Sequence, residues 1–261
     1  MPITIFQSEL LLLIRANRNP DSFVAGGAAI HRADHSSRYS NDIDFFHDTE
    51  EAISKSVRQD LELLQSNGYA ISPLIEQPGF VRVVVSKGAE SLKLEWARDT
   101  AYRFFPVVED EALGYRLHDV DLAVNKCIAL ANRNEVRDIV DLIELDSRVL
   151  KLAAICWAAC GKDPGFTPEL LLDCMSRHSI IRPEQLAAES LRTPLCAEEL
   201  KREWLKLMDQ ASLEIASYPS SDLGCVYLDR RGKVVHSPEH PLPAEITPHF
   251  GSVGGSWPQI N

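Results

Sequence analysis

The stretch FVAGGAAIHRADHSSRYSNDIDFF, residues Phe23 to Phe46, places two glycines behind a short apolar run and then an Asp-Ile-Asp triplet between apolar residues. Aspartate is a poor strand former, and two carboxylates on one strand face repel each other. Side chains alternate along a strand, so Asp42 and Asp44 share one face while Ile43 and Phe45 share the other. The apolar pair can enter a core, which leaves the carboxylates facing outward about 6–7 Å apart. That spacing lets both reach shared divalent ions, and an ion would remove the repulsion. Magnesium prefers carboxylate oxygens together with substrate phosphates. Two such ions about 3.5–4 Å apart can activate an attacking hydroxyl and stabilise a leaving pyrophosphate. A strand end with solvated acids is the plain alternative for an isolated Asp-x-Asp. The glycines add weight, because Gly26 and Gly27 sit where the strand FVAG passes into a helix, GAAIHRA. Bare backbone there can approach a phosphate, and the first helical amides can bind it. A tight turn is the plain reading of the glycines alone.

The chain around this stretch has an ordinary globular composition. Its 261 residues carry 45% hydrophobic and 25% charged side chains, enough for a normal core in one large or two modest domains. The net charge of -11 argues against a surface coated with positive charge for general nucleic-acid binding. A local basic groove remains compatible with it. Neither LLLLI, from Leu10 to Ile14, nor LKLAAICWAACG reaches the roughly 20 apolar residues a membrane span needs. No secretory signal is visible. The six cysteines are scattered, with Cys127, Cys156 and Cys160 in apolar helical patterns, which reads as buried reduced thiols in a cytoplasmic protein.

Patterning predicts a first helix over about Ile3–Ala16 and a strand at NDIDFF. The amphipathic helix EEAISKSVRQDLELLQSNG follows, capped at its C-terminus by Gly68. FVRVVVSKGAESLKLEWA alternates on both arms and reads as a hairpin turning at KGAE. From His118 to about Ser217 the pattern is helical, broken at NRNE, GKDPGFTP and IIRPEQ. GCVYLDRRGKVVHSPEH suggests a small hairpin turning at Arg230 to Gly232, before a Pro-, Gly- and Ser-rich end that is poorly ordered or lies across the surface. The expected organisation is an α/β core over 1–112, a helical domain over 113–220 and a C-terminal hairpin and tail over 221–261.

With the turn and the acids in view, the segment resembles the DNA polymerase β-type nucleotidyltransferases, and within them the AbiEii/AbiGii-type toxins. Members carry a Gly-Gly-Thr-Ala-like turn and then Arg-x-Ser-x-Asp-x-Asp, matched here by Gly26, Gly27, Arg38, Ser40, Asp42 and Asp44. A second match is NKCIALANRNEVRDIVDLIEL, where Lys126, Arg133, Arg137, Asp138 and Asp141 fill the family's Lys, Arg and Arg-Asp-x-x-Asp positions. Two separated segments in the right order make the resemblance specific over about residues 20–145. It implies an α+β fold, with a polymerase β-like core of mixed sheet and flanking helices followed by a helical C-terminal part. By resemblance Asp42 and Asp44 are metal ligands, and Glu95, facing opposite to Leu94 and Trp96 in SLKLEWA, is the third acid. Glu95 could also help deprotonate the acceptor hydroxyl. Gly26, Gly27, Arg38 and Ser40 would bind the triphosphate, with Lys126, Asp138 and Asp141 positioning the nucleotide.

The residues of the second segment can also be read directly. Leu122, Lys126 and Leu130 fall on one i, i+4 line, and a lysine on an apolar stripe wants an anionic partner. A triphosphate would serve, as would Asp138 or Asp141. His31, His35 and His47 make no zinc spacing and read as surface or substrate-proximal residues, and Arg32 as a phosphate contact or a solvated cation. There is no Walker loop and no serine elbow. The expected activity is Mg2+-dependent transfer of a nucleoside monophosphate, with one or two ions, from a nucleoside triphosphate to an acceptor hydroxyl. The resemblance further suggests an RNA acceptor such as a tRNA end, a toxin's role, and an antitoxin partner. A small-molecule acceptor of the antibiotic type, and a non-catalytic nucleotide-binding protein of the same fold, are the rival readings.

Overall fold

The computed structural model describes residues 4–32 and 36–259. They form two compact units, one within 1–101 and 106–118 and the other within 102–105 and 119–261. In chain order the first unit holds α1 (Ile5–Ile14), β1 (Ser22–Ala25), α2 (Gly26–Ile30), β2 (Asp42–His47), α3 (Glu50–Ser66), β3 (Ala70–Gln77), β4 (Phe80–Lys87) and β5 (Glu90–Arg98). The chain then lends β6 (Tyr102–Arg103) to the second unit and returns for β7 (Val108–Asp110) and β8 (Gly114–Arg116).

The first unit is built on a mixed seven-stranded sheet of order β3-β4-β5-β2-β1-β8-β7. β2 lies parallel to β5 and antiparallel to β1, while β3, β4 and β5 form an antiparallel meander. Alternation assigns the faces. Ile43, Phe45, Leu94, Trp96, Val83 and Val85 are all buried, on the face where α3 packs and where Phe45 stacks on Trp96 with ring centroids 5.5 Å apart. Asp42, Asp44, Lys93, Glu95 and Arg82 share the other face. α3 starts at Thr49, whose hydroxyl accepts from the Ala52 amide, with Glu50 and Glu51 in its first turn. It ends in a Schellman motif: Gly68, at φ 79°, donates to Gln65, and Tyr69 donates to Leu64.

The buried face carries a polar network. The Arg18 guanidinium bonds both Asp60 oxygens at 2.6 and 2.5 Å and lies 4.4 Å from the Phe45 ring centre. Asp60 also accepts from the Trp96 indole at 2.9 Å and from Asn17 at 2.8 Å. Ser22 and Ser56 extend the chain of bonds to His47 Nε2, 3.0 Å from the Ser22 hydroxyl. His31 and His47 are both fully buried, so neither is a surface histidine, and His47 lies on the face away from Asp42 and Asp44. Odd spacing from the aspartates sent it there. His35 falls outside the described residues.

β3 has no clear signature in the sequence. It holds Pro73, which cannot donate to a ladder, and the register with β4 shifts between Pro73 and Ile75. An edge position tolerates both. The hairpin expected after it forms, with Lys87 opposite Glu90 and Gly88 at φ 64° in the two-residue loop.

The second unit contains α4 (Asp119–Asn132), α5 (Val136–Arg148), α6 (Leu152–Lys162), α7 (Pro168–Arg177), α8 (Pro183–Ala188) and α9 (Ala197–Ile215). It ends with β9 (Cys225–Leu228), β10 (Thr247–Phe250) and β11 (Ser252–Val253). α6 is apolar all round, and every residue from Leu152 to Cys160 is buried, which marks the central helix of a bundle. No described helix is long and apolar enough to cross a membrane. The cysteines are unpaired: Cys127, Cys156, Cys160 and Cys225 are buried, Cys174 is partly covered and Cys196 is exposed. Asp121, fully buried, accepts from the amides of Phe104 and Phe105 at 2.7 and 3.1 Å. Burial pushes its carboxyl up to about 6 against those amides and the charges of Lys162 and Arg103.

The C-terminal region departs from the expected hairpin. A turn does form at Asp229–Gly232, but the return makes a single bridge, Leu228 to Val234. β9 pairs instead with β10, and β11 pairs with β6. The Pro- and Gly-rich end is therefore structured as far as residue 259: His249 stacks on Phe105 at 5.0 Å, and its Nε2 donates to the Phe104 carbonyl at 2.9 Å.

Burial, and next the charge of Arg18, lower the His47 pKa from 6.5 to about 4, so the ring is neutral when folded. Below pH 6.5 the unfolded chain takes a proton that folded His47 refuses, so this stabilisation is lost as pH falls from 6.5 towards 4. Between pH 7 and pH 5 the loss amounts to about 2 kcal/mol. Urea titrations at those two pH values should show a smaller drop for His47→Gln than for the wild type; equal drops would contradict the buried neutral ring.

Candidate active site

Register assembles the acids. Parallel pairing of β2 with β5 sets Asp42 beside Lys93 and Asp44 beside Glu95. Ligand oxygens of Asp42, Asp44 and Glu95 all lie within 4.8 Å of one another, with Asp42 buried and the other two partly covered. The three residues named as metal ligands from the sequence thus meet on one sheet face. Hard carboxylate oxygens so grouped suit magnesium or manganese rather than a softer ion.

The glycine turn is fitted to this face. Gly26 has φ 59°, and a Cβ there would stand 1.9 Å from Asp44 Oδ2. A Cβ on Gly27 would stand 2.6 Å from the Ser40 hydroxyl and 3.0 Å from the Arg38 guanidinium. The glycines therefore serve a purpose beyond backbone access: they leave room for Asp44, Ser40 and Arg38 to close on the turn. Ser40 donates to Asp42 Oδ1 at 3.3 Å, and its carbonyl accepts from Gln7 at 2.6 Å. Arg38 and Ser40 are buried. The helix opening at the glycines runs only from Gly26 to Ile30, shorter than GAAIHRA, and its single turn carries little dipole. Arg32 sits 3.9 Å from the Asp110 carboxylate, a loose ion pair.

Two cations on this face were not singled out in the sequence. Arg82, opposite Glu95 in the antiparallel register, bonds Glu95 Oε1 at 2.8 Å. Lys93 Nζ lies 3.6 Å from both Asp42 Oδ2 and Glu95 Oε1. The signal for them was alternation: Lys93 is two residues from Glu95, and Arg82 shares its face once the hairpin register is counted.

The second predicted constellation lies within the helical unit. Lys126 Nζ bonds Asp138 Oδ1 at 2.8 Å and Asp141 Oδ2 at 2.9 Å, and Arg133 bonds both Asp138 oxygens at 2.8 and 3.1 Å. Both carboxylates are fully buried and Lys126 nearly so. Of the alternatives open in the sequence, the lysine's partners here are the carboxylates. Burial raises the Asp138 pKa, but the charges of Lys126 and Arg133 outweigh it and hold the group below its ordinary value.

Replacing Gly26 by alanine forces an L residue into a left-handed conformation, which costs roughly 1–2 kcal/mol, and drives a methyl into the Asp44 carboxylate. A carboxylate displaced by an ångström costs about 100-fold in turnover. Gly26→Ala should lose turnover on that scale while its circular dichroism stays native; activity within threefold of wild type would contradict the packing role.

The sequence matches, over residues 12–222, the family described as nucleotidyl transferase AbiEii toxin of type IV toxin–antitoxin systems. No curated protein matches it significantly in sequence. Among solved structures it is similar to a candidate nucleotidyltransferase from H. pylori, at 18% identity and TM-score 0.55, covering 81% of this chain and 94% of that one. It is also similar to MenT4, a nucleotidyltransferase toxin of Mycobacterium tuberculosis H37Rv, at 15% identity and TM-score 0.53, covering 83% and 84%. At these identities the structural likenesses establish the fold, a mixed α/β nucleotidyltransferase architecture, and the matched 12–222 establishes the family. The chain belongs to the AbiEii family of toxin nucleotidyltransferases.

Proposed function

We propose that this enzyme transfers a nucleoside monophosphate from a nucleoside triphosphate to a hydroxyl of an RNA acceptor, such as a tRNA end, in a magnesium-dependent reaction. The observation that carries the reading is the Asp42–Asp44–Glu95 cluster, its ligand oxygens within 4.8 Å of one another. These three residues would hold the magnesium, one or two ions, which supplies charge neutralisation for the triphosphate and acidifies the attacking hydroxyl. We assign the triphosphate to the Gly26–Gly27 turn and to Arg38 and Ser40, which lie against it, on the strength of the family motif. We assign Lys126, with Asp138 and Asp141, to nucleotide positioning on the strength of the family motif.

In the reaction the acceptor oxygen forms a bond to the α-phosphorus in line with the bond that breaks, and pyrophosphate leaves with that electron pair. We assign acceptance of the hydroxyl proton to Glu95, whose carboxylate is bonded by Arg82 at 2.8 Å. Most of the rate comes from positioning and electrostatic stabilisation. Family membership supports a growth-inhibiting role in the cytoplasm, restrained by a cognate antitoxin protein.

Purified protein with magnesium, each of four α-labelled nucleoside triphosphates in turn, and total cellular RNA tests the acceptor class. Label should enter a discrete RNA band and be lost in Asp44→Ala. Magnesium-dependent triphosphate binding without label in any RNA would sink the RNA reading in favour of a protein or small-molecule acceptor.

A further inference from the structure

We propose that Lys93 is a built-in counter-cation of the acid cluster, one that weakens binding of free metal ions and makes metal loading depend on the nucleotide. The inference rests on the reading of Asp42, Asp44 and Glu95 as metal ligands. Its observation is the position of the ammonium, 3.6 Å from Asp42 Oδ2 and 3.6 Å from Glu95 Oε1. The ammonium thus stands between two of the three acids that would share an ion. Strand pairing puts it there: Lys93 is the parallel partner of Asp42 and lies two residues before Glu95 on the same face.

The geometry suits a displaceable cation. Both distances exceed hydrogen-bond length, so the contact is an electrostatic one that can be given up without breaking a good hydrogen bond. The side chain is about a third exposed, at 36%, and its flexible stem can carry the charge away from the cluster. Arg82 is the contrast. It is hydrogen-bonded to Glu95 at 2.8 Å and would stay to orient that carboxylate.

A divalent ion entering alone must displace Lys93 or sit beside it, and like charges a few ångströms apart repel strongly in a partly desolvated site. A triphosphate brings several negative charges at once. It offsets the metal and gives the released ammonium a new anionic partner. Metal and nucleotide should therefore load together, which makes Lys93 a positioning residue for the reaction.

Equilibrium dialysis against Mn2+ alone tests this with the full chain. Lys93→Met should bind Mn2+ at least tenfold more tightly than the wild type, whereas Lys93→Arg, which keeps the charge, should stay close to it. Asp44→Asn in the Met background should lose the gain, tying the ion to the cluster. Repeating the dialysis with a non-hydrolysable triphosphate analogue should narrow or reverse the difference between wild type and Lys93→Met. Equal Mn2+ affinity of Lys93→Met and wild type without nucleotide, with Asp44-dependent binding in both, would overturn the proposal and leave the metal site standing. No Asp44-dependent Mn2+ in any protein, with or without the analogue, would overturn the metal site and the proposal together.

Discussion

Three carboxylates on one face of a sheet repel one another, and the first unit is organised around holding them there. The restraint is backbone register. β2 pairs in parallel with β5, and one residue of slip would carry Asp42 and Asp44 to the buried face and Ile43 and Phe45 to the acid face. Phe45 stacked on Trp96 penalises such a slip, and Asp60 adds to it by accepting from the Trp96 indole while pairing with Arg18. A buried ion pair of this kind contributes little net stability. Here it links α3 to Trp96 on β5 through Asp60 and to the Phe45 ring on β2 through Arg18.

Given that platform, its neighbours follow from local chemistry. The turn must be glycine because Asp44 occupies the space a Cβ would need at Gly26, and Ser40 and Arg38 occupy it at Gly27. Cations gather opposite the acids by the same alternation, Arg82 across the hairpin and Lys93 on the acid's own strand. The helical unit repeats the theme on a smaller scale, with Lys126 and Arg133 compensating Asp138 and Asp141 across α4 and α5. In both units cations offset the clustered acids, at Asp42 and Glu95 in the first and at Asp138 and Asp141 in the second.

Much of this was legible in the chain. Period-two alternation around Asp42 and Asp44, the glycine pair and the hairpin arms each needed only local rules. Glu95 needed strand pairing that local rules do not supply, and the family motif provided it. The harder features depended on tertiary context. Pro73 disguised an edge strand, since an edge alone lets proline and a bulge stand. His47 read as a surface or substrate-proximal residue, yet its side chain points into the core beside Ser22. The tail read as poorly ordered or lying across the surface because Pro and Gly punctuate it, and pairing with β6 and β9 gives its backbone partners. Lys93 went unremarked because a lysine on a half-exposed strand is ordinary until the opposing acids are known.

The central claim is that the carboxylate cluster binds metal and nucleotide as one unit. Thermal melting tests it without relying on turnover or on an acceptor. Wild-type protein would be melted with magnesium, with a non-hydrolysable nucleoside triphosphate, and with both, beside Asp42→Asn and Asp44→Asn. The expected result is a melting temperature raised well beyond either single addition when both are present, and no such rise in the two variants. An equal rise in the variants would mean that nucleotide binds elsewhere, and that the acid cluster is not the site.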